Sequence, residues 1–418
     1  MELSVLILTY NEEENIGELL TRIKKVVTKL TQEYEIILVD SNSTDKTPQI
    51  AESLGARVYL PSQKGYAQAY KEGISYCQGK YILNLDADLS HDPSFIQKMY
   101  QNRHRADLIL ASRYIPNAHA NMGLFRKFVS ISLNKIFANI LTLPIRDISS
   151  GLRLYNSRIF KDITLTGEDF DILSEIVVRT HMKGYNVLEI PYHYFPRRRG
   201  LSKFKFFKFI RAHLKTLLKL WKLRNSLASA DYDDRAFNSK IPLQRYWQRK
   251  KYHLVLNMLE RKSPMLDIGC GSGKILEALP EAYGIDLRLS KLRYRKRTNS
   301  LLICGDVNKL PIKDNTFYEI ICNQIIEHIA DDETLLREVS RVLKPGGNLI
   351  IGTPDFSKKL YLLIDFFYRK LLPGAYGDEH VTRWDFDSLR QKLMEHGFEI
   401  INHNYILWTD LYIKAVKL

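Results

Sequence analysis

Residues Tyr81–Pro93 read "YILNLDADLSHDP", an apolar run of Ile82, Leu83 and Leu85 that meets two carboxylates, Asp86 and Asp88, with only Ala87 between them. Such a run, bounded by turn formers, predicts a buried strand. Side chains alternate along a strand, so the two acids are expected to face the same way at its carboxyl end. That end of a parallel sheet is where ligands bind in open α/β folds. Two adjacent carboxylates repel unless a cation lies between them. A hard divalent ion, Mg²⁺ or Mn²⁺, relieves the repulsion and can also hold a pyrophosphate. The competing reading is that the acids cap the next helix, but Asp92-Pro93 already offers an N-cap and a first-turn proline.

Outward from this stretch, "LSVLILT", "EIILVD", "RVYL", "YILNL" and "DLILAS" are strand candidates, separated by segments long enough for crossover helices. That alternation predicts a parallel, doubly wound α/β sheet. A second alternation runs through "PMLDIGCG", "AYGIDL", "SLLICGD", "YEIICN" and "NLIIGTP". Between them "NSLASADYDDRAFNSKIP", from Asn225 to Pro242, is polar and rich in turn formers, which predicts domains over 1–228 and 229–418. A length of 418 residues suits two or three domains better than one core. The halves carry different motifs, so they are two fused domains and not a repeat.

Apolar residues make up 45% of the chain, enough for folded cores. The net charge of +15 points to an anionic partner, whether nucleic acid, membrane surface or phosphorylated substrate. Cys77, Cys270, Cys304 and Cys322 lack metal-ligand spacing, which predicts buried, reduced thiols and a cytoplasmic location. The stretch "MELSVLILTYNEEEN" does not read as a secretory signal, and no apolar run approaches the ~18 residues of a membrane-spanning helix.

In the first half, polar residues gather where strands end. "ILTYNEEENIGELL" places Tyr10 and Glu12 there, "LVDSNSTDKT" places Asp40, and "SQKGYAQAYKEGI" offers Lys64 and Gly65 ahead of a helix. With "DADLSHDP", "ASRY", "RKFVS", "SSGLRLYN", "SEIVVR" and "RRRGLSK" in that order, Leu3–Arg224 resembles the inverting family-2 glycosyltransferases of the GT-A fold. Within them the likeness is to the dolichyl/polyprenyl-phosphate mannose synthase branch.

The resemblance implies that Thr9, Tyr10, Glu12, Asp40, Lys64 and Lys203 bind a nucleotide-sugar, and that Asp86 and Asp88 hold the metal and diphosphate. Ser90 stands where some members supply a third metal ligand. Arg113, Arg126 and Ser130 would receive the acceptor's phosphate, and Arg197 with Lys203 would close over the diphosphate. Asp86, Asp88, Arg113 and Arg197 are thus the expected catalytic residues. The family's proline before "TYNE" is Leu8 here, so the choice between GDP and UDP stays open.

The acceptor class has its own physical argument. Transfer to a sugar hydroxyl needs a carboxylate base, whereas a phosphate monoester is largely ionised already, with a second pKa of about 6. A phosphate acceptor needs orienting cations, and guanidinium forks supply them. Salt bridging for Arg113 and a solvated surface for Arg126 are the plain alternatives. Glu175 in "DILSEIVVR" would be the base for a hydroxyl acceptor, or a packing acid paired with Arg179 one turn later. From Arg197 to Arg224, Lys and Arg interleave with Phe, Leu and Trp and no acid intervenes, which predicts peripheral binding to an anionic membrane on its cytoplasmic face. An ordinary helix packed on its domain is the other reading.

In the second half, "MLDIGCGSGKILEAL" gives a strand ending in Asp267 and a turn of Gly269, Gly271 and Gly273, whose missing side chains let backbone approach a ligand. Asp286 ends the next strand, placed to take two ribose hydroxyls. With "LICGDVNKLPIKDNTF", "YEIICNQIIEHI" and "VLKPGGNLII", residues 231–418 resemble the class I methyltransferases that use S-adenosylmethionine. The likeness implies that Asp267 and the glycines face the methionine end, Asp286 the ribose, Asp306 and Val307 the adenine, and Asn323 the sulfonium. "CNQIIEH" lacks the N/D-P-P-Y/F element of amino-directed methylases, which leaves oxygen, carbon or other small-molecule sites. His328 and His380 are candidate bases, or a helix end and a lid contact.

The expectation is therefore a bifunctional enzyme that makes a polyprenyl-phosphate sugar and methylates a glycan- or lipid-related acceptor. Sugar transfer to a glycan hydroxyl is the second reading. An RNA methylase with a binding-only first half is the third, disfavoured because no aromatic RNA-binding signature is present, so no nucleic-acid partner is expected.

Overall fold

The computed structural model describes residues 1–195, 206–296, 301–330, 332–371 and 380–418. The chain divides into two compact units, Met1–His181 with Tyr185–Trp221, and Met182–Gly184 with Lys222–Leu418. That division precedes the 228/229 boundary read from the turn-rich segment. The expected positions Arg197 and Lys203 lie outside the described residues.

The first unit's strands, in chain order, are β1 (Leu3–Thr9), β2 (Tyr34–Asp40), β3 (Arg57–Tyr59), β4 (Tyr81–Asp86), β5 (Leu108–Ser112), β6 (His119–Ala120), β7 (Arg153–Asn156), β8 (Val187–Pro191) and β9 (His193–Tyr194). Seven of them form one sheet in the order β3-β2-β1-β4-β7-β5-β8, and β6 pairs with β9. The expected parallel pairing holds for β1 with β2 and β4, and for β2 with β3. It fails at β7, which runs antiparallel to both β4 and β5, so the sheet is mixed. The reading missed β7 because "RLYN" is short and carries a charge. Arg153 is nonetheless fully buried, its guanidinium spent on the carbonyls of Ile148, Ser150 and Leu173.

Local rules account for the layers around the sheet. Glu13–Val27 is a helix because Ile16, Leu19, Leu20, Ile23 and Val27 recur at helical spacing and all are buried. Glu13 and Glu14 in its first turn and Lys24 and Lys25 in its last complement the helix dipole. Each such leucine or isoleucine contributes about 1.5–3 kcal/mol by leaving water.

The second unit holds β10 (Met265–Ile268), β11 (Tyr283–Asp286), β12 (Leu301–Cys304), β13 (Phe317–Asn323), β14 (Leu343–Pro354), β15 (Phe398–Ile406) and β16 (Asp410–Lys417). Their order is β12-β11-β10-β13-β14-β16-β15. The first five strands run parallel, while β16 is antiparallel to both β14 and β15, again a mixed sheet. The two α/β units therefore match the expected architecture with this correction of strand direction. Cys270 and Cys322 are buried as expected, but Cys77 is half-buried and Cys304 exposed, because Cys304 ends an edge strand.

Candidate functional site

In the first unit, β1 and β2 align Thr9 with Asp40, and β1 and β4 align Leu8 with Asp86. The carboxyl ends of three neighbouring strands thus form one rim, at the place that a doubly wound sheet reserves for ligands. The pleat does not bring the two acids together, contrary to expectation. β4 ends at Asp86, the chain turns through Ala87 and Asp88, and Leu89 takes a φ of 59°. Asp88 stays beside Asp86 through that turn and accepts the Ser90 N–H at 3.1 Å. Burial pushes the Asp86 carboxyl above its ordinary range and the Asp88 charge adds to that, while His91, Arg113 and Arg126 oppose it. Four expected or newly found groups therefore act on one carboxylate.

The antiparallel β7 explains the tightness of this recess. Gly151, just before β7, has no Cβ, and one built there would meet Asp86 Oδ2 at 2.7 Å and His91 Cε1 at 3.1 Å. His91 is buried, accepts the Asp86 N–H at Nδ1 (3.2 Å), and burial lowers its pKa despite the two acids. Tyr66 also belongs here, since the Asp86 charge raises its pKa on top of burial. Asp92 does not cap the helix. The helix Phe95–Gln101 begins later, after a turn through Pro93 and Ser94, and Asp92 instead accepts the Ser94 N–H (3.0 Å) and the Arg22 guanidinium (2.8 Å).

On the donor side, Asp40 is buried and braced: Thr9 Oγ1, Ser43 N and Ser43 Oγ donate to it at 2.9, 2.7 and 2.6 Å. Glu12 is nearly buried and accepts from Asn15 at 2.7 Å, whereas Tyr10 and Lys64 are exposed. Ser90 is fully buried, and its carbonyl receives the Tyr192 hydroxyl at 3.3 Å.

On the acceptor side, Arg113 grips Asp147 through Nε (2.8 Å) and Nη2 (2.7 Å) and also reaches Ser149. The salt bridge set against its phosphate role is thus present. Ser130 receives the Tyr114 hydroxyl at 2.7 Å. Arg126 is exposed on the helix Leu124–Ile140, beside Leu124, Phe125 and Phe128, which are 86%, 71% and 70% exposed. In the helix Phe206–Arg224, Leu217, Leu220 and His213 are buried, Thr216 bonds Asp171 at 2.6 Å, and Leu214 and Leu218 face outward. That helix packs on protein along one side, the plainer of its two readings.

Glu175 has the surroundings of a packing acid, one of the two readings given for it. It is fully buried, and its oxygens receive Thr166 N (2.8 Å), Thr166 Oγ1 (2.6 Å), Gly167 N (2.7 Å) and Arg179 Nε (2.8 Å). Burial would raise its pKa, but these donors outweigh it and hold the carboxyl low. Glu175→Gln should cost stability of about 1–3 kcal/mol and leave sugar transfer within a few fold. Loss of a general base would cost ~10²–10⁴-fold, and kinetics below the melting temperature distinguish the two.

In the second unit, Asp267, Asp286 and Asn323 stand at or near the carboxyl ends of β10, β11 and β13. Gly269 and Gly271 have φ of 66° and 52°, and a Cβ on them would meet Ile325 at 2.1 Å and Asp233 at 2.5 Å. Burial pushes Asp267 up to about 8, with Arg295 opposing and Asp286 adding. Asp286 accepts the N–H groups of Gly271 (2.9 Å) and Arg288 (2.7 Å), so it braces the glycine turn. Gly273 follows in that turn. Asp306 is exposed, Val307 buried, and Asn323 Oδ1 receives the Tyr412 hydroxyl at 2.9 Å. Asp233, from the segment read as a linker, holds Ser272 N at 3.0 Å and Lys291 Nζ at 2.9 Å. His328 and His380 come together, ring centroids 5.0 Å apart.

Sequence reasoning missed His91, Gly151, Tyr66 and Asp233. His91 and Gly151 lie inside quoted motifs, but nothing in a single chain shows that β7 returns beside β4. Asp233 offered a signal, an acid pair in the first turn of the helix Tyr232–Phe237.

Parts of the chain match known proteins. A model described as "Glycosyl transferase family 2" matches residues 4–164, and one described as "Methyltransferase domain" matches residues 266–351. A dolichol-phosphate mannosyltransferase of Pyrococcus furiosus is 33% identical over 52% of this chain and 64% of its own, so the match spans a little under two thirds of that relative. A dolichyl-phosphate hexose transferase of Haloferax volcanii is 26% identical over 46% of this chain and 82% of its own. Among solved structures, glucosyl-3-phosphoglycerate synthase from Mycobacterium tuberculosis is 18% identical, with a TM-score of 0.44, over 52% of this chain and 79% of its own. The chain thus joins a family-2 glycosyltransferase domain to a methyltransferase domain in one polypeptide.

Proposed function

We propose that the first unit moves a sugar from a nucleotide-sugar to a polyprenyl or dolichyl phosphate, and that the second moves a methyl group from S-adenosylmethionine to a glycan- or lipid-related acceptor. One observation carries the first half of this reading. Arg126 acts on the recess around Asp86, while Leu124, Phe125 and Phe128 on the same helix stand in solvent. A cation facing the donor recess beside an apolar surface suits an acceptor with an anionic head and a hydrocarbon tail. The relatives' names point the same way.

Asp86 and Asp88 fit a divalent ion: they are paired acids in a recess that a single Cβ at position 151 would fill. Bound there, Mg²⁺ or Mn²⁺ would neutralise the diphosphate leaving group. The chain's own contribution is to hold that recess rigid, through His91 on the Asp86 N–H and the Asp40 brace at the end of β2. Arg126 and Ser130 would orient the acceptor phosphate, which needs no base, with Arg113 fixed by Asp147 as part of the wall. In the second unit the glycine turn, Asp267 and Asp286 form a cradle that suits S-adenosylmethionine, because Gly269 and Gly271 leave no room for side chains.

The decisive assay incubates the protein with labelled GDP- and UDP-sugars, Mn²⁺ and a polyprenyl phosphate. Label that extracts into organic solvent supports the reading, and its absence with every donor overturns it. Among the described residues no helix is long and apolar enough to cross a membrane, so contact with lipid is proposed to be peripheral and to run through Leu124–Ile140. Phe125→Ser with Phe128→Ser should lower affinity for anionic vesicles in co-sedimentation by about 10²-fold or more, since each buried phenylalanine contributes about 1.5–3 kcal/mol. Unchanged binding would refute that contact.

A further inference from the structure

Beyond the cradle for S-adenosylmethionine, the second unit gathers a set of ligand-type side chains whose combined role neither domain match assigns. Glu327 and His328 sit on the short 3₁₀ turn that follows β13, four and five residues past Asn323. His380 arrives from a distant segment, held there because the N–H groups of Val381 and Thr382 donate to the Glu327 carbonyl at 2.8 and 3.1 Å. The Thr382 hydroxyl adds a bond to the Ile326 carbonyl at 2.9 Å. One ligand atom from each of Glu327, His328 and His380 lies within 4.8 Å of the others. A tetrahedral ion with bonds of ~2.1 Å sets ligand atoms about 3.4 Å apart, so the three are nearly gathered.

A second observation points to a cation. The Glu327 side chain is fully buried, and neither carboxyl oxygen has a hydrogen-bond partner of ordinary geometry, although the Thr353 hydroxyl is close enough to favour its charged form. A buried carboxyl in that state is costly unless a proton or a cation neutralises it. Lys251 is the cation that acts on it, yet Lys251 is already engaged by Gln324 at 2.9 Å and Asp410 at 3.4 Å. The Tyr361 hydroxyl, 3.4 Å from His380 Nδ1, is the kind of outer partner that orients a metal-bound imidazole.

We propose that Glu327, His328 and His380 bind one divalent transition-metal ion, of the Zn²⁺ type, which offers its open coordination positions to an oxygen of the methyl acceptor. Two imidazoles and one carboxylate suit such an ion, whereas the all-oxygen pair Asp86 and Asp88 suits Mg²⁺ or Mn²⁺. The role toward the acceptor rests on the methyltransferase reading; the metal site itself does not.

The test loads the full chain with Zn²⁺ or Co²⁺, dialyses it, and measures retained metal, with Co²⁺ absorption reporting nitrogen ligands. S-adenosylhomocysteine binding is measured in parallel by calorimetry. The expected result is one retained equivalent that persists in Asp88→Ala and disappears in His380→Gln and in Glu327→Gln. His380 is only half-buried, so its variant should stay folded even where the Glu327 change does not. No retained equivalent, or one that survives His380→Gln, overturns the inference. Loss of S-adenosylhomocysteine binding in the unaltered protein would instead overturn the methyltransferase reading.

Discussion

Asp88→Ala is expected to abolish sugar transfer while leaving S-adenosylhomocysteine binding unchanged. Asp86 and Asp88 are neighbouring acids at the end of β4; burial raises the Asp86 carboxyl and the charge of Asp88 adds to that. If a divalent ion relieves that repulsion and carries the diphosphate, losing one ligand removes several kcal/mol of transition-state stabilisation, or about 10³-fold in rate. The substituted side chain is half-buried in a turn outside the apolar core, and its loss frees the Ser90 N–H, a cost the fold should bear. Measuring label transfer and calorimetric binding on the same preparation separates the two sites. Transfer within ten-fold of the unaltered protein would sink the assignment of the metal to this pair.

Asp286→Ala should produce the mirror image, a loss of S-adenosylhomocysteine affinity with sugar transfer intact. Asp286 closes β11 and accepts the Gly271 and Arg288 N–H groups. Its carboxylate therefore braces the glycine turn and, on the reading proposed, would also accept the ribose hydroxyls. Hydrogen bonds to a charged group contribute about 1.5–3 kcal/mol each. Losing two of them predicts a drop of roughly 10²–10⁴-fold, readable by calorimetry. Affinity that falls by less than five-fold would mean that the ribose is held elsewhere.

Together the two substitutions ask whether the domains work independently. A variant that silences both activities at once would indicate that one site depends on the other, an outcome that either domain match by itself does not predict.

Much of this was legible in the chain. The apolar runs at "LSVLILT", "EIILVD" and "YILNL" gave β1, β2 and β4, because a strand buried on both faces must be apolar throughout. The glycine spacing after Asp267 marked a turn that only glycine fits, and Gly269 and Gly271 have the positive φ that requires it. Periodicity reports which side of an element is buried, and punctuation by Gly, Pro and Asp reports where it ends. Both are local, so both survive in a single sequence.

What only the tertiary structure decided is which distant group neutralises which charge. Arg113 is gripped by Asp147 opposite it, and Glu175 is held by the Thr166 and Gly167 N–H groups that fold back over it. Gly151 matters because β7 enters the sheet antiparallel beside β4. His380 joins Glu327 and His328 because a later segment bonds to the turn after β13. A sequence lists charges and ligands in chain order, but their chemistry depends on distance and dielectric. Those two quantities exist only once the chain has returned on itself.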